Sequence, residues 1–230
     1  MVMRLTSDEH ARVAAAIAAA ESRTAGEIFC VLAREVSSYR DISLAWAAAA
    51  ALLLPLMLIP FGLPTAWLPG FSASWEAAHL AAREITVGRA IAVYAMVQAA
   101  VFILAYLLLR IPVLTRLVTP RAVRRDRARR AAMHQFLAHG LHVTEQRTGV
   151  LIFAALADHQ VEVIADKGIH DRVDPDVWAQ AVEVLTDGIG KRRAVEGFEG
   201  AIALVGGVLA EHFPPRPRDV NEVPDRLVEI

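Results

Sequence analysis

Two long apolar runs divide the chain. Residues 42–75 form 34 consecutive positions without Asp, Glu, Lys or Arg, and residues 90–109 form another 20. Within these runs, residues 44–63 and 91–109 are long enough to cross a hydrocarbon layer of about 30 Å as helices that rise about 1.5 Å per residue. The pattern therefore predicts two transmembrane helices. The competing interpretation, a pair of buried helices in a soluble domain, is disfavoured by this length and lack of charge.

Before the first run, the pattern predicts one helix and one strand. Thr6 and Glu9 have the spacing of a capping box, and the alanine-rich segment after them repeats apolar residues at helical intervals as far as Glu21. Residues 27–33 are short, apolar and partly β-branched, which is typical of a buried strand. One helix and one strand cannot enclose a core, so residues 1–42 need partners elsewhere in the chain.

After the second run, the sequence returns to the pattern of a soluble domain. The predicted elements are a helix over 121–141, an antiparallel hairpin of strands 149–156 and 160–165, a helix that begins near 175, a helix over 196–212 and an extended tail over 213–224. Asp174 as N-cap and Pro175 at the first position open the third of these elements. The apolar part of the last helix is too short to cross a bilayer, which predicts a core helix.

Together these elements make an α/β sandwich, interrupted by the membrane hairpin. The predicted organisation is residues 1–42 with the first helix and strand, 43–110 with the transmembrane hairpin, and 111–230 with the remainder of the domain. The soluble part, about 160 residues, is large enough for a core of its own. Composition agrees, because hydrophobic residues make up 55% of the chain, above the about 45–50% of a globular domain. The single cysteine excludes a disulfide framework.

Arginines predict the orientation in the membrane. Two helices place both flanks of the hairpin on the same side. That side carries eight arginines near the helices, and the connector between the helices carries two, Arg83 and Arg89. Positive charge favours the cytoplasmic side, so the soluble part is expected in the cytoplasm. The eight are Arg34, Arg40, Arg110, Arg116, Arg121, Arg124, Arg125 and Arg127.

Part of this set also predicts contact with lipid headgroups. Basic residues next to a transmembrane helix attract anionic headgroups, with a gain of about 1 kcal/mol per charge near the surface. The predicted membrane-surface residues are Arg116, Arg121, Arg124, Arg125 and Arg127. Nucleic-acid binding is the alternative for such a basic run, but the run lacks interleaved aromatic residues and a known binding module, so no nucleic-acid partner is expected.

Several segments of the soluble part resemble the TPM domain. They are residues 24–28 (Thr-Ala-Gly-Glu-Ile), 147–153 (Arg-Thr-Gly-Val-Leu-Ile-Phe), 161–169, Trp178, the glycine-bearing last helix before Phe213-Pro214, and 221–225 (Asn-Glu-Val-Pro-Asp), which is similar to the ending of short bacterial members. The family is named for members in plant thylakoids, photosystem II repair and acetylcholine-receptor modulation. The resemblance covers nearly all of the non-membrane chain, and its motifs are diffuse and carry no catalytic signature.

The resemblance implies an α/β/α sandwich. Together with the two predicted transmembrane helices and the arginine distribution, it leads us to expect a two-pass protein of the bacterial inner membrane. For some members it also implies divalent-metal binding and acid phosphatase activity. We therefore expect a membrane-tethered binding or accessory module that acts on another membrane protein. The alternative is a metal-dependent, acid phosphatase-like hydrolase of phosphomonoesters. The chain departs from better-known members, which carry a signal peptide, a terminal helix and a domain outside the cytoplasm.

An acidic loop is the candidate metal site. Asp166, Asp171, Asp174 and Asp176 lie within eleven residues, together with His170. Carboxylate oxygens suit hard cations such as Ca²⁺ or Mg²⁺, and a phosphate-hydrolysing metal site would also use them. The alternative is that Asp174 and Asp176 favour a helix N-terminus and that the others are solvated.

Histidines form a second, weaker cluster. His134, His139 and His142 lie near the end of a predicted helix, with Glu145 close by. Their spacing differs from that of helical zinc enzymes, in which two histidines lie four residues apart with a glutamate beside the first. The alternative is that these histidines interact favourably with the dipole at the C-terminus of the helix and bind no metal. Phosphate-binding, dinucleotide-binding and serine-hydrolase motifs do not occur.

Overall fold

The chain consists of two compact units. The computed structural model describes residues 4–58, 85–173, 175–216 and 221–230 of the 230-residue chain. One unit combines Met1–Ser38 with Arg121–Ile230, and the other consists of Tyr39–Pro120. We call them the α/β unit and the helical unit.

The elements follow one another along the chain as α1 (Ser7–Glu21), β1 (Glu27–Ala33), α2 (Arg40–Leu58), α3 (Ile85–Leu108), α4 (Pro112–Val118), α5 (Arg121–Ala138), β2 (Gly149–Ala155), β3 (Gln160–Ala165), α6 (Lys167–His170), α7 (Ala179–Gly190), α8 (Ala194–His212) and β4 (Leu227–Glu229). Short 3-10 turns cover Leu141–Val143 and Pro175–Trp178. The predicted capping box is confirmed, because the Glu9 amide donates to Thr6 Oγ1 and the Thr6 amide donates to Glu9 Oε2.

The α/β unit is built on a four-stranded sheet with the order β3-β2-β1-β4. β1 runs parallel to β2, with Glu27 opposite Gly149, and parallel to β4, with Cys30 opposite Leu227. The predicted antiparallel hairpin of β2 and β3 is confirmed. β1 therefore lies inside the sheet, which explains why all seven of its residues are buried.

Helices cover both faces of this sheet. Ile28, Cys30 and Leu32 of β1 belong to the core that α1, α7 and α8 complete. Phe29 and Val31 point the other way, into the core formed with α5. This alternation follows from the two-residue period of a strand. Burying one such large side chain stabilises the fold by about 1.5–3 kcal/mol. The mixed α/β fold predicted from the sequence is confirmed.

Close backbone contact joins α8 to α1. A Cβ at Gly206 would lie 2.7 Å from Ala20 Cβ, whereas a Cβ at Gly207 would have no neighbour within 4 Å. Of the two adjacent glycines, Gly206 is thus the one that permits the helices to approach. The α8 segment is a core helix, as predicted, with Ala201, Ile202 and Val205 buried.

The helical unit holds α2, α3 and α4. Ala47 and Ala51 of α2 are buried, whereas Leu52, Leu53, Leu54 and Leu56 are each more than half exposed. Among the residues that the structure describes, Arg40–Met57 is long and apolar enough to cross a membrane, and only 17% of it is buried. Tyr94–Leu108 and Pro112–Val118 would qualify as a second such segment if taken as one, but they are bent by 103° at the break between them.

The predicted pair of transmembrane helices is therefore only partly seen. The helix α2 begins at Arg40 and covers residues 44–58 of the first predicted span, and residues 59–63 of that span lie outside the described residues. The second predicted span, 91–109, lies within α3 and the bend. Thr115 Oγ1 donates to the Leu109 carbonyl, and Ser43 Oγ donates to the same carbonyl at 3.3 Å, so two hydroxyls satisfy the backbone where α3 ends.

Two details of the sequence prediction differ from the structure. The helix predicted to open at Pro175 begins as the 3-10 turn Pro175–Trp178, and α7 starts at Ala179 without a side-chain cap. Proline at the start of a tight turn has the φ angle that either kind of helix requires, which explains the error. The tail predicted to be extended leads into β4, a strand that the sequence did not reveal.

Candidate functional site

Three loops meet at one edge of the sheet. The parallel strands β1 and β2 begin there, and the antiparallel strand β3 ends there at Ala165. The Glu27 amide donates to the Thr148 carbonyl at 3.1 Å, and the Asp166 amide donates to the Gly149 carbonyl at 2.9 Å. The hydroxyl of Thr148 donates to the Ala25 carbonyl at 3.0 Å. These bonds fix the loops before β1 and β2 and the loop after β3 against one another.

The chain after α8 joins the same edge. The Phe213 carbonyl accepts from the Ala25 amide at 2.9 Å and from the Thr24 hydroxyl at 2.7 Å. The carboxylate of Glu27 accepts from the amides of Glu222 and Val223, both at 3.2 Å. Segments around residues 24, 148, 166, 213 and 222 therefore converge here, although about two hundred residues separate the first from the last. We call this region the amino edge.

Two glycines permit the tight packing of the amino edge. A Cβ at Gly149 would lie 2.4 Å from the Leu141 carbonyl oxygen, and a Cβ at Gly168 would lie 2.5 Å from the Gln146 carbonyl oxygen. Both obstacles are backbone atoms, which cannot turn aside as a side chain can. Glycine is required at both positions for the loops to approach this closely.

A cleft lined by carboxyl groups opens at the amino edge. Its volume is about 270 Å³. Its lining consists of Ala18, Glu21, Ser22, Thr24, Gly26, Glu27, Pro215, Asn221 and Asp225. Glu27 is only 6% exposed, and its two backbone partners compensate for the burial of its charge.

Glu21 has a strongly raised pKa. Burial, followed by the hydrogen bond with Asp225 and the charge of Glu27, raises its pKa to about 9, although the Ile28 amide, which donates to Glu21 Oε1 at 2.7 Å, acts in the opposite direction. At neutral pH Glu21 is therefore protonated, so it can donate to Asp225.

No sequence pattern pointed to Glu21 or Asp225 as site residues. One signal was present: Glu21 is the last residue of α1, where a negative charge opposes the helix dipole and no basic residue compensates. An acidic residue in an unfavourable place indicates another constraint, which here is the tertiary contact with residues 28 and 225.

A second cleft of about 270 Å³ lies at the same edge, lined by Gln146, Gly168, Arg172 and Phe213. The Arg172 guanidinium lies 5.2 Å from the centre of the Phe213 ring, in a cation–π arrangement. This contact joins the loop after α6 to the segment after α8, and it leaves a guanidinium beside the loop predicted to hold a metal.

The predicted metal residues do not form a cluster among the described residues. Asp166 is the N-cap of α6, where its Oδ1 accepts from the Lys167 amide at 2.7 Å, and Asp171 lies at the other end of that one-turn helix. Asp176 is part of the 3-10 turn, and Asp174 lies outside the described residues. The buried Asp166 Oδ2 is without a hydrogen-bond partner.

Within the part of the chain that the structure describes, no group of three or more His, Cys, Asp or Glu residues is arranged to hold a metal ion. A multidentate Ca²⁺ or Mg²⁺ site needs several oxygen ligands around one point, and the described residues, which leave out the predicted ligand Asp174, show no such arrangement. A single orphaned carboxylate oxygen at Asp166 does not supply them.

The predicted histidine cluster has different roles at its different positions. His139 packs its ring on Phe29, with 4.2 Å between ring centres. Burial, with the charge of Arg226, lowers the pKa of His139. His142 lies in the 3-10 turn after α5 with its Nδ1 buried and unpartnered.

The predicted membrane-surface arginines divide between the two units. Arg116 belongs to α4 of the helical unit, and the other four belong to α5. Arg125 Nε lies 3.8 Å from Glu162 Oε1, and Arg127 donates to Ser37 Oγ at 2.6 Å. Two members of the set are therefore engaged by the α/β unit itself.

Comparison with known proteins shows the fold. The solution structure of the BA42 protein from the psychrophilic bacterium Bizionia argentinensis is similar to this chain, with a TM-score of 0.55 at 18% sequence identity. The alignment covers 99% of this chain and 97% of that protein. No family profile matches the sequence, and no curated protein matches it. At this identity, the likeness supports a shared fold.

Proposed function

We propose that this chain is a TPM-like α/β domain that a two-helix hairpin tethers to the bacterial inner membrane, and that it serves as a binding or accessory module for another membrane protein. The exposed apolar surface of α2 carries the proposal. Leu52, Leu53, Leu54 and Leu56 are 62%, 54%, 52% and 59% exposed. Removing one such side chain from water is favourable by about 1.5–3 kcal/mol. Exposure to water loses this free energy, whereas insertion into the apolar core of a bilayer recovers it.

The helix α3 supports the two-pass form of the tether. Ile91, Ile103, Leu104 and Leu107 are each more than half exposed on this helix. The burial pattern differs sharply from that of α8, a core helix of the α/β unit with nine buried residues. Two adjacent helices that are apolar on their outer surfaces are typical of a membrane hairpin.

The contacts at the amino edge favour binding over catalysis. The hydroxyl of Thr24 donates to the Phe213 carbonyl and accepts from the Gly26 amide at 3.1 Å, so it is committed to the loop structure. Glu27 is held by two backbone amides. Phosphatase chemistry needs a nucleophile, a metal and phosphate-binding groups around one point. The described residues provide no such set, and the phosphatase alternative stays a prediction without support from a contact.

Cation dependence is a separate prediction with its own test. A site for Ca²⁺ or Mg²⁺ should raise the melting temperature of the detergent-solubilised chain, with a gain of about 2.7 kcal/mol at 100 times the Kd. Asp166→Asn should abolish that shift, while Asp187→Asn, at an exposed ion pair with Lys191, should retain it. If no divalent ion stabilises the chain, the cation prediction is wrong and the tether is unaffected.

The tether is tested by charge substitution. Leu53→Arg introduces a charge into the exposed surface of α2, where insertion costs about 2.5–3.5 kcal/mol. We expect the variant to become extractable from membranes by alkaline carbonate, while the unaltered chain stays in the pellet. Val184→Arg is the matched control, because Val184 is 36% exposed in the α/β unit and should leave membrane association unchanged. Equal retention of both variants in the membrane would contradict the proposal.

Orientation is tested with reporters. A reporter fused after Ile230 should be active in the cytoplasm, and one inserted at Ser72 should be active in the periplasm, because of the arginine distribution. The opposite pattern would place the α/β unit outside the cytoplasm and would leave the tether itself in place.

A further inference from the structure

The helix α5 has an outer face that combines basic and apolar side chains. Its inner face is fixed, because Ala128, Ala132 and Phe136 are buried against the sheet. Arg130, Met133 and Leu137 lie on the opposite side, at spacings of three, four and seven residues, and the exposed Arg129 lies between the two faces. Met133 is 38% exposed and Leu137 is 48% exposed.

The apolar part of this face continues beyond the helix. Val143, in the 3-10 turn that follows α5, is 70% exposed. Three large apolar side chains are thus exposed near the end of α5. Elsewhere in the α/β unit, the described exposed valines Val177 and Val184 are not accompanied by such a basic segment.

The charge of the face is positive after internal pairing is taken into account. Residues 121–130 contain six arginines and one aspartate, Asp126. Asp126 pairs with Arg130 at 2.6 Å, in an exposed contact. Glu162, on β3, pairs with Arg125, which itself is 73% exposed. Arg129 also interacts electrostatically with Glu162. Two carboxylates nevertheless do not balance six arginines, so the segment keeps a positive net charge.

We propose that the outer face of α5 docks on the anionic headgroup layer of the membrane, with Arg129 and Arg130 at the phosphates and Met133 and Leu137 in the interface below them. The inference rests on the proposed tether. Basic and apolar side chains on one helical face are the features of an interfacial helix. Because α5 begins three residues after Val118, at the end of α4, the tether keeps it near the bilayer and raises its effective concentration there.

Charge complementarity favours lipid over nucleic acid as the occupant. A nucleic acid would use the arginines alone and would leave Met133 and Leu137 in water. An anionic bilayer uses both groups, because each arginine gains from the surface potential and each apolar side chain leaves the aqueous phase. Arg127, one of the arginines predicted to contact headgroups, donates to Ser37 Oγ instead. This contact gives Arg127 a role within the α/β unit.

The test places an environment-sensitive fluorophore on the face. Leu137→Cys is labelled in the full chain, in which the native Cys30 is fully buried and unreactive. The protein is reconstituted in nanodiscs of phosphatidylcholine alone or of phosphatidylcholine with phosphatidylglycerol. We expect a blue-shifted emission and a severalfold loss of quenching by iodide in the anionic discs, with reversal in high salt. The same label at Val184→Cys on α7 is the control and should respond equally to both lipids.

The double variant Arg129→Gln/Arg130→Gln then tests the charges. Loss of two charges should weaken docking roughly 25-fold, because each contributes about a factor of five near an anionic surface. An unchanged shift in this variant, or equal quenching at position 137 in both lipids, would overturn the inference. A shift caused by RNA without lipid would also overturn it, in favour of a nucleic-acid surface. Failure of the chain to enter nanodiscs would instead contradict the tether, so the two proposals fail separately.

Discussion

The side chains of Glu21 and Asp225 are joined by a hydrogen bond between their carboxyl groups. Such a bond needs one proton, and burial, which raises the pKa of Glu21 to about 9, keeps that proton in place at neutral pH. The end of α1 is thereby connected to the segment before β4 without a buried net charge on Glu21. The contact is stable only while the proton is present.

The first prediction concerns the pH dependence of stability. The folded pKa of Glu21, about 9, exceeds its ordinary value of 4.5. The stabilising contribution is complete below the unfolded pKa and falls as pH rises toward the folded pKa, because only the folded state retains the proton. The slope reaches about −1.4 kcal/mol per pH unit for one proton. Glu21→Gln should remove this slope between pH 5 and 9, because glutamine keeps a donor for Asp225 and an acceptor for the Ile28 amide.

Thermal unfolding of the full chain in detergent at several pH values measures this effect. Glu183→Gln is the control, because Glu183 is an exposed carboxyl group on α7. If Glu21→Gln unfolds with the same pH slope as the unaltered chain, Glu21 is ionised in the folded state and the shared proton is absent.

The second prediction concerns the contacts of β4. Glu229 accepts from the Leu5 amide at 3.0 Å, from His10 at 3.0 Å and from Arg34 at 3.3 Å. Burial alone would raise the pKa of Glu229, but these three hydrogen bonds outweigh it and lower the pKa. Glu229→Gln should cost about 1–3 kcal/mol, since it weakens charge-assisted bonds to several partners.

The loss should appear at neutral pH and shrink in acid. A lowered carboxyl pKa contributes stability above its unfolded value, and that contribution is lost as pH falls through the folded pKa. The matched control is Glu199→Gln, which removes an exposed ion pair with Arg12 and should cost less than about 1 kcal/mol. If urea unfolding shows equal destabilisation by the two variants, the three hydrogen bonds that Glu229 accepts contribute no more than an exposed ion pair.

The third prediction uses the adjacent glycines of α8. Gly206→Ala places a methyl group 2.7 Å from Ala20 Cβ and should destabilise the chain by about 1–3 kcal/mol. Gly207→Ala meets no atom within 4 Å and should stabilise the helix by up to about 1 kcal/mol through its propensity. Melting temperatures that change in opposite directions confirm the packing, and a shift in the same direction for both contradicts it.

The fourth prediction concerns the amino edge. Gly168→Ala introduces a Cβ 2.5 Å from a backbone oxygen and should displace the loop at residues 146–147. Gly190→Ala, at the end of α7, has no neighbour within 4 Å and serves as the control. Amide hydrogen exchange should rise at the starts of β1 and β2 in the first variant only. Unchanged protection there would mean that the loop accommodates the methyl group.

Local patterns predicted the elements that depend on local interactions. The capping box at Thr6 and Glu9 acts within one turn, and the buried strands β1 and β2 are apolar apart from Glu27 at the start of β1. The turn between β2 and β3 is short, so the hairpin follows from neighbouring residues. These features need no information from distant parts of the chain.

The features that the sequence did not reveal depend on distant contacts. β4 has only three residues, and its pairing with β1 and the bonds of Glu229 to Leu5 and Arg34 hold it in place. The carboxyl cleft joins α1 to a segment about two hundred residues later. A tertiary contact of this kind has no periodic pattern or motif in the sequence. The acidic residues around Asp166 are close together in the sequence, so the metal site was predicted there instead.

The central position of β1 has a consequence for biosynthesis. Its residues leave the ribosome before α2 and α3, but its two neighbours, β2 and β4, begin only at Gly149 and Leu227. At about 5–20 residues per second, the strand waits several seconds for β2 and longer for β4. During that time a nascent chain carries seven unpaired, mostly apolar residues. In the proposed two-pass form, α2 and α3 would insert into the membrane in the same interval. This chain order therefore exposes β1 to aggregation for longer than a strand whose neighbours are close in sequence.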